Sequence, residues 1–246
     1  MLPLGAVLAT LYAAAAVLGP RPAAALGATA FLAAGLVLVV VPRGAHRWFR
    51  RGAYLRAELA YRALRWLRLD RGVRGSLQVS IAACRLGRER HRDGLALLER
   101  IDPAALGESA RAAWLNDRAY AVGRGGGDLG QALADIDQAI ALRPDVPGFR
   151  HTRGVILLGL GRVDEALREL DAVWLRRPGD EAPGLFEAER CYDLGRAWLR
   201  KGEAEYAADY FDRARRAAPE SRWAVRAAET MPAAGELPQA LRELLA

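Results

Sequence analysis

Small and bulky apolar residues recur through the middle of the chain at a spacing that predicts paired antiparallel helices. Counting back from Pro178, offsets of 5, 8, 12 and 24 residues fall on Val173, Leu170, Ala166 and Gly154. The same offsets before Pro219 fall on Ala214, Phe211, Ala207 and Gly195. Before Pro144, 34 residues ahead of Pro178, the positions are Ala139, Ile136, Ala132 and, after a slip of one residue, Ala119. A 34-residue period with small residues at helix crossings is typical of stacked helical hairpins.

Helical periodicity elsewhere predicts an all-α chain, with no strand pattern. We expect helices near 74–86, 91–101, 109–123, 128–142, 147–160, 163–176, 184–201, 203–217, 220–230 and 237–245. Ahead of these, residues 45–70 are predicted to form one amphipathic helix. Its apolar side would carry Trp48, Leu55, Leu59, Ala63 and Trp66.

Residues 1–41 contain one charged side chain, Arg21, in a Gly-Pro-Arg-Pro break between Leu2–Gly19 and Ala23–Val41. As helices, these segments would span about 27–28 Å, close to the hydrocarbon thickness of a bilayer. A signal peptide would open with basic residues, and a soluble helix pair would show a polar face, but neither is present. The sequence therefore predicts a membrane-spanning hairpin, the second segment being the stronger.

The net charge of +7 is concentrated in one segment. Nine arginines lie between Arg43 and Gly72, against Glu58 and Asp70, and the rest of the chain is neutral overall. Arginines directly after the second apolar segment predict that this side faces the cytoplasm. Only one of the 36 basic residues is lysine, which suggests a GC-rich bacterial genome and hence a bacterial inner membrane.

The basic segment has two interpretations. In the first, its start lies on an anionic membrane surface, and the residues predicted to contact that surface are Arg43, Arg47, Trp48, Arg50 and Arg51. In the second, the segment is the first helix of the repeat array with solvated arginines. Nucleic-acid binding is disfavoured, because the neighbouring apolar segment explains the charge better.

The offsets before Pro178 and Pro219 resemble the tetratricopeptide repeat, which places small residues at helix crossings, a bulky residue between hairpins and proline after the second helix. The resemblance implies a helical-hairpin solenoid that binds a protein or peptide partner. The predicted domains are a transmembrane hairpin at 1–42, a basic juxtamembrane helix at 43–72, repeats at 73–219 and capping helices at 220–246. Within the repeats, the units are 73–106 (degenerate), 109–144, 147–178 and 188–219.

In that family, the first helix of each hairpin lines a concave groove. The matching positions, predicted as partner contacts, are Asn116, Tyr120, His151, Val155, Tyr192 and Arg196. Aromatic, amide and cationic groups together suit an extended peptide or a partner helix. The lysine and asparagine clamp with which some family members grip acidic tails is missing, because no lysine stands at these positions.

Catalytic, metal and cofactor motifs are absent from the sequence. Gly125–Gly130 formally matches GxGxxG, but a helix is predicted before it instead of a strand, so we expect an expanded turn. Glu187, Glu189, Glu203 and Glu205 are predicted to be solvated, the histidines have no ligand spacing, and Cys84 and Cys191 are predicted to be buried helix residues. No enzyme activity, metal, cofactor or small-molecule substrate is therefore expected.

Two functions fit these patterns. The first is a membrane-anchored scaffold or adaptor that binds its partner through the repeats. The alternative is an assembly or stability factor within a larger membrane protein complex that uses its transmembrane helices for recognition.

Overall fold

In a computed structural model, all regular structure within the described residues is helical. The structure describes residue 13 and residues 20–68, 70–173 and 184–231. The helices are α1 Pro20–Arg50, α2 Tyr54–Leu67, α3 Arg71–Gly87, α4 His91–Leu98, α5 Glu108–Gly125, α6 Leu129–Leu142, α7 Pro147–Gly159, α8 Val163–Ala172, α9 Gly184–Arg200, α10 Ala204–Ala217 and α11 Arg222–Thr230. A 3₁₀ turn occupies Pro103–Ala105. The predicted helix at 237–245 lies outside the described residues.

The chain divides into two compact units. The first comprises Met1–Arg90 and Leu97–Gly107, and the second comprises His91–Ala96 and Glu108–Ala246, so the boundary falls within α4. In the first unit, α2 packs against both α1 and α3. Its core is formed by Ala45, Ala57, Tyr61, Leu64, Ile81 and Cys84.

The prediction of one helix over 45–70 is wrong, because Gly52 ends α1. Gly52 has a φ of 75°, in the left-handed region that glycine adopts readily. Its N–H donates to the Phe49 carbonyl at 3.0 Å, and the Ala53 N–H donates to the Trp48 carbonyl at 2.9 Å. This pair of bonds is the Schellman arrangement that terminates helices.

The interruption also changes which side of α2 is buried. The side chains packed inside are those of Ala57, Tyr61 and Leu64. The predicted apolar side of the helix included Leu55, Leu59 and Trp66, and the structure exposes all three. A single periodic pattern cannot be continued across a helix end, because the next helix begins with a new rotation.

Of the two predicted membrane segments, the structure describes the second but almost nothing of the first. The first, Leu2–Gly19, lies outside the described residues apart from Ala13. The second, Ala23–Val41, is part of α1, which begins at Pro20 and continues through Pro42 to Arg50. Among the residues that the structure describes, no helix meets the length and hydrophobicity needed to cross a membrane.

The second unit is built from helical hairpins. The pairs α5/α6, α7/α8 and α9/α10 pack together, and each second helix also contacts the helix that follows it. In addition, α5 contacts α7, and α9 contacts α11. This succession of hairpins is an all-α, tetratricopeptide-repeat-like solenoid.

The repeated small and bulky residues occupy the helix crossings, as predicted. The following are all buried: Ala119, Ala132, Ile136, Ala139, Gly154, Ala166, Leu170, Val173, Gly195, Ala207, Phe211 and Ala214. A Cβ added to Gly154 would lie 2.7 Å from Leu170 Cγ, and one added to Gly195 would lie 2.6 Å from the Phe211 ring. Glycine is therefore needed where α7 meets α8 and where α9 meets α10.

The glycine-rich turn between α5 and α6 is confirmed as a helix connection. Gly126 and Gly127 have φ values of 87° and 140°. Asp128 then caps α6 by accepting hydrogen bonds from the N–H groups of Gly130 and Gln131. Because the turn follows a helix and opens a helix, it is not a dinucleotide-binding loop.

Candidate partner-binding face

The six positions predicted as partner contacts lie on the first helices of three successive hairpins. Along α5, α7 and α9 they are Asn116 and Tyr120, His151 and Val155, and Tyr192 and Arg196. We call this side of the three helices the partner face. His151 and Val155 are buried, whereas the other four side chains are partly exposed. The role of these six residues in binding stays a prediction.

Asp193 on α9 is the centre of a buried ion-pair network on the partner face. Its carboxylate accepts hydrogen bonds from both terminal nitrogens of Arg124 on α5, one of them at 2.8 Å. Nε2 of His151 on α7 lies 3.1 Å from Asp193 Oδ2. The Asp193 side chain is fully buried, and that of Arg124 is 8% exposed. One carboxylate thus connects the first helices of three hairpins.

Glu189, one turn before Asp193 on α9, extends the network to Tyr120. Arg124 Nη2 donates to Glu189 Oε1 at 2.8 Å, and the Tyr120 hydroxyl donates to the same oxygen at 2.7 Å. At the outer edge, Arg196 Nη1 lies 3.4 Å from Asp193 Oδ1. The two carboxylates are therefore neutralised by arginines within the protein.

The network changes the pKa values of its members. Burial raises the pKa of Asp193, but the Arg124 charge and the His151 hydrogen bond outweigh it and hold that pKa well below its usual range. Burial, followed by the Glu189 carboxylate, raises the pKa of Tyr120. Burial lowers the pKa of Arg124, but Asp193 more than compensates and raises it overall. Asp193 and Arg124 are therefore both charged, and Tyr120 keeps its proton to donate.

Aromatic side chains surround the cationic groups of the partner face. The Arg124 guanidinium carbon lies 4.8 Å from the Trp223 ring centroid, and that of Arg196 lies 5.8 Å from the Tyr192 centroid. The Tyr192 and Trp223 rings are 5.5 Å apart between centroids. These distances fall within the range of cation–π and aromatic contacts. The buried Trp223 thereby packs α11 against α5 and α9 beneath the partner face.

Three buried polar atoms of this region have no hydrogen-bond partner within the described residues. They are Asn116 Oδ1, Arg124 Nε and Trp223 Nε1. One is an acceptor and two are donors. A buried polar group without a partner is costly, so these three atoms reduce the stability of this region.

Asp117, beside Asn116 on α5, is a carboxylate whose surroundings differ from those of Asp193. It accepts a hydrogen bond from Asn116 Nδ2 at 3.1 Å but forms no ion pair within the described residues. Burial raises its pKa to about 7, despite the opposing effect of the Asn116 hydrogen bond. Unlike Asp193, it is a partly buried carboxylate without an ion-pair partner within the described residues.

His151, Glu189 and Asp193 have the donor types of a metal site, and one ligand atom from each lies within 4.8 Å of the others. Arg124 already neutralises both carboxylates, however, and a metal ion would have to displace its guanidinium. The arrangement therefore fits an internal ion-pair network better than a metal centre.

The sequence interpretation of the acidic residues was partly wrong. Glu203 and Glu205 are exposed, as predicted. Glu189 instead binds Arg124, and Glu187 accepts a hydrogen bond from Arg190 Nη2 at 2.8 Å. Arg124, Glu189 and Asp193 were missed as members of the face. The one available signal was the four-residue spacing of Glu189 and Asp193 on a helix predicted to line the groove.

The five positions predicted to contact a membrane surface are exposed around the end of α1. They are Arg43, Arg47, Trp48, Arg50 and Arg51. Arg43 Nη1 donates to the Val39 carbonyl at 3.2 Å, and the other cationic groups form no ion pair within the described residues. The role of these residues at a membrane stays a prediction.

The hairpins and their small-residue crossings define a tetratricopeptide-repeat-like protein. The sequence model of the tetratricopeptide repeat matches residues 125–188, which run from the end of α5 into α9. This match supports membership of residues 125–188 in the tetratricopeptide repeat family. No match was found among curated proteins.

Solved structures are similar in fold. A thermophilic tetratricopeptide repeat protein of Thermus thermophilus, TTC0263, is 20% identical, with a TM-score of 0.56 over 77% of this chain and 96% of that one. MamA of Desulfovibrio magneticus RS-1 is 24% identical, with a TM-score of 0.39 over 60% of this chain and 77% of that one. YrrB, a tetratricopeptide repeat protein with an unusual peptide-binding site, is 18% identical, with a TM-score of 0.42 over 78% and 92%. The Thermus protein supports the fold assignment.

Proposed function

We propose that the chain is a membrane-anchored scaffold that binds a protein or peptide partner through the partner face. The observation that carries this proposal is the Arg124–Asp193 ion pair, which joins α5 to α9. It holds the first helices of different hairpins in a fixed arrangement before any partner arrives. A preformed surface binds with a smaller loss of conformational entropy than a flexible one.

The chemistry of the partner face favours an extended peptide. Asn116 is partly exposed and carries a side-chain amide, a group that can hydrogen-bond to a peptide backbone. Tyr192 supplies partly exposed aromatic surface, and Arg196 supplies a partly exposed positive charge. Backbone hydrogen bonds combined with pockets for side chains are a common way to bind an extended segment.

Photocrosslinking in cells tests this assignment. A benzoylphenylalanine at position 192 replaces a partly exposed tyrosine of the partner face. The matched control carries the same crosslinker at Arg168, which is exposed on α8, a second helix of a hairpin. We expect a discrete adduct from position 192 that is absent from position 168. The same adduct from both positions, or from 168 alone, would reject the partner face.

Anchoring in a bacterial inner membrane, with the repeats in the cytoplasm, is the second part of the proposal and rests mainly on sequence. Residues 23–41 contain no charged side chain, and Arg43, Arg47, Arg50 and Arg51 follow them. The exposed apolar residues Val39, Val40 and Trp48 near the end of α1 support the same interpretation. Basic residues beside an apolar segment favour retention on the cytoplasmic side.

Protease treatment of sealed spheroplasts tests the topology. We expect the full-length chain to remain in the membrane fraction, with the repeats protected until the cells are opened. Digestion of the repeats from outside would overturn the cytoplasmic orientation. Recovery of the whole chain in the soluble fraction would overturn the anchor while leaving the partner face untouched.

A further inference from the structure

The first unit contains a cavity of about 450 Å³ whose polar lining is almost entirely cationic. Arg62 and Arg65 come from α2, Arg85 comes from α3, and Arg100 follows α4. Gln78 is the remaining polar lining residue, and no carboxylate lines the cavity. Four guanidinium groups around one space repel each other unless a negative charge lies between them.

Glu58 is the carboxylate that partly offsets this charge. It is 2% exposed and lies 2.7 Å from Arg62, 3.3 Å from Arg85 and 3.2 Å from Arg88. One negative charge is therefore shared among three arginines. Arg65 and Arg100 form no ion pair within the described residues, so the cavity keeps a substantial positive excess.

Arg65 lines the cavity and is only partly exposed. Its Nε is buried and has no hydrogen-bond partner within the described residues. A guanidinium N–H withdrawn from water without an acceptor is unfavourable. An anion in the cavity would neutralise the excess charge of the surrounding arginines.

From these observations we infer that the cavity binds a phosphate-bearing anion. Guanidinium groups match phosphate oxygens in pairs, which makes arginine the preferred residue for such recognition. The volume lies within the range of small-molecule sites and exceeds what a lone phosphate needs. Ile81 and Leu97 provide apolar wall against which the organic part of the ligand packs.

The phosphate has two chemical sources, an anionic phospholipid headgroup or a soluble phosphorylated molecule. Both would present the same group to Arg65 and Arg100. The arginines on α2 and α3 are distinct from the exposed arginines at the end of α1, which do not line this cavity. Binding at this cavity does not depend on the partner face or on membrane insertion.

Isothermal titration of the purified full chain tests the inference with three probes. They are inorganic pyrophosphate, dihexanoyl-phosphatidylglycerol and, as the lipid without net charge, dihexanoyl-phosphatidylcholine. We expect saturable binding of at least one of the first two and none of the third. Tighter binding of pyrophosphate assigns a soluble ligand, and tighter binding of the phosphatidylglycerol assigns a headgroup. No binding of either anion would overturn the inference.

Substitutions locate the binding within the fold. Arg65→Gln combined with Arg100→Gln should weaken binding tenfold or more, because both unpaired guanidiniums are lost. Arg56→Gln is the matched control, since Arg56 is exposed on α2 and does not line the cavity. It should leave the affinity within twofold of the original. Equal weakening by the control would show attraction to general positive charge and would overturn the cavity as the site.

Arg100→Gln alone keeps the test decisive if the double variant does not fold. Arg100 is exposed and lies beyond the end of α4, so its replacement should leave the helical circular dichroism unchanged. We expect a threefold or greater loss of affinity. An unchanged affinity in this folded variant would contradict the site.

Discussion

Each of the two units contains a buried carboxylate surrounded by arginines, but the balance of charge differs. In the second unit, Asp193 and Glu189 meet Arg124, and all three side chains are largely withdrawn from water. In the first unit, Glu58 is shared among three arginines that each keep substantial exposure. In the second unit, the charges are therefore balanced within the protein, and the ion pairs join helices. In the first unit, positive charge remains available to a ligand.

The largest expected effect is from Asp193→Asn, which breaks the closed network. Arg124 would remain buried without its main counter-charge, and removal of one partner from a buried ion pair costs about 3–5 kcal/mol. Urea unfolding of the full chain measures this loss. The control is Asp137→Asn, because Asp137 pairs with Arg153 at the surface and should cost less than about 1 kcal/mol. Similar losses for both variants would contradict a special role for Asp193.

Gly195→Ala tests whether α9, the helix that carries Asp193, is tightly packed against α10. The new Cβ would meet the buried Phe211 ring at 2.6 Å, and such overpacking costs about 1–3 kcal/mol. Gly148→Ala on α7 meets nothing within 4 Å and should instead stabilise the protein by about 0.5–1 kcal/mol. Thermal or urea unfolding distinguishes these opposite signs. A stabilising Gly195→Ala would show that α9 and α10 are free to separate.

Asp117→Asn sharpens the comparison within the partner face, because Asp117 lacks the cation that Asp193 has. With its pKa raised to about 7, folding favours the protonated form, so its ionisation lowers stability as the pH rises from about 4 to 7. The substitution should therefore stabilise the protein by about 1–3 kcal/mol at pH 8 and much less at pH 4. Unfolding at both pH values provides the measurement. A gain that is equal at both would contradict the raised pKa.

Asp193 should show the opposite dependence on pH. Its pKa is lowered in the folded state, so its stabilising contribution is complete above the unfolded value near 4 and is lost as the pH falls further. The same unfolding series, extended to acidic pH, should show a loss of stability in the original chain that is smaller in Asp193→Asn. If the variant lost as much stability at acidic pH as the original chain, this assignment would be contradicted.

The smallest expected change in stability is from Glu58→Gln. The arginines that lose their counter-charge are partly exposed and can turn toward water. The loss of stability should therefore be about 1 kcal/mol. The same substitution should increase affinity for pyrophosphate severalfold, because it removes the negative charge that competes for the arginines. Titration against the original chain measures this gain. A loss of affinity would mean that Glu58 positions the arginines for the ligand.

The hairpin architecture was predictable because its determinants are local and repeated. Gly195 and Phe211 lie within one hairpin, and the same spacing occurs at Gly154 and Leu170. The break at Gly52 was missed because a glycine in an apolar pattern is tolerated within a helix and becomes a terminus only through its backbone conformation. Periodicity reports which residues share a face only while the helix continues.

The two clusters of charged residues could not be predicted from local sequence patterns. Arg124 and Asp193 are separated by 69 residues and meet only after three hairpins have stacked. Glu58 and Arg85 belong to different helices, and their pairing depends on how α2 packs against α3. Glu189 therefore resembled an ordinary solvated residue in the sequence. Long-range pairing, and not residue type, determines its role.

The central claim is that the arginine–carboxylate pairs are structural in the second unit and ligand-directed in the first. Double-mutant cycles of Arg124→Met with Asp193→Asn, and of Arg85→Met with Glu58→Gln, test it most directly by urea unfolding. We predict a coupling energy of about 2–3 kcal/mol for the first pair and less than about 0.5 kcal/mol for the second. Equal couplings, or a larger value for Glu58 and Arg85, would contradict the claim.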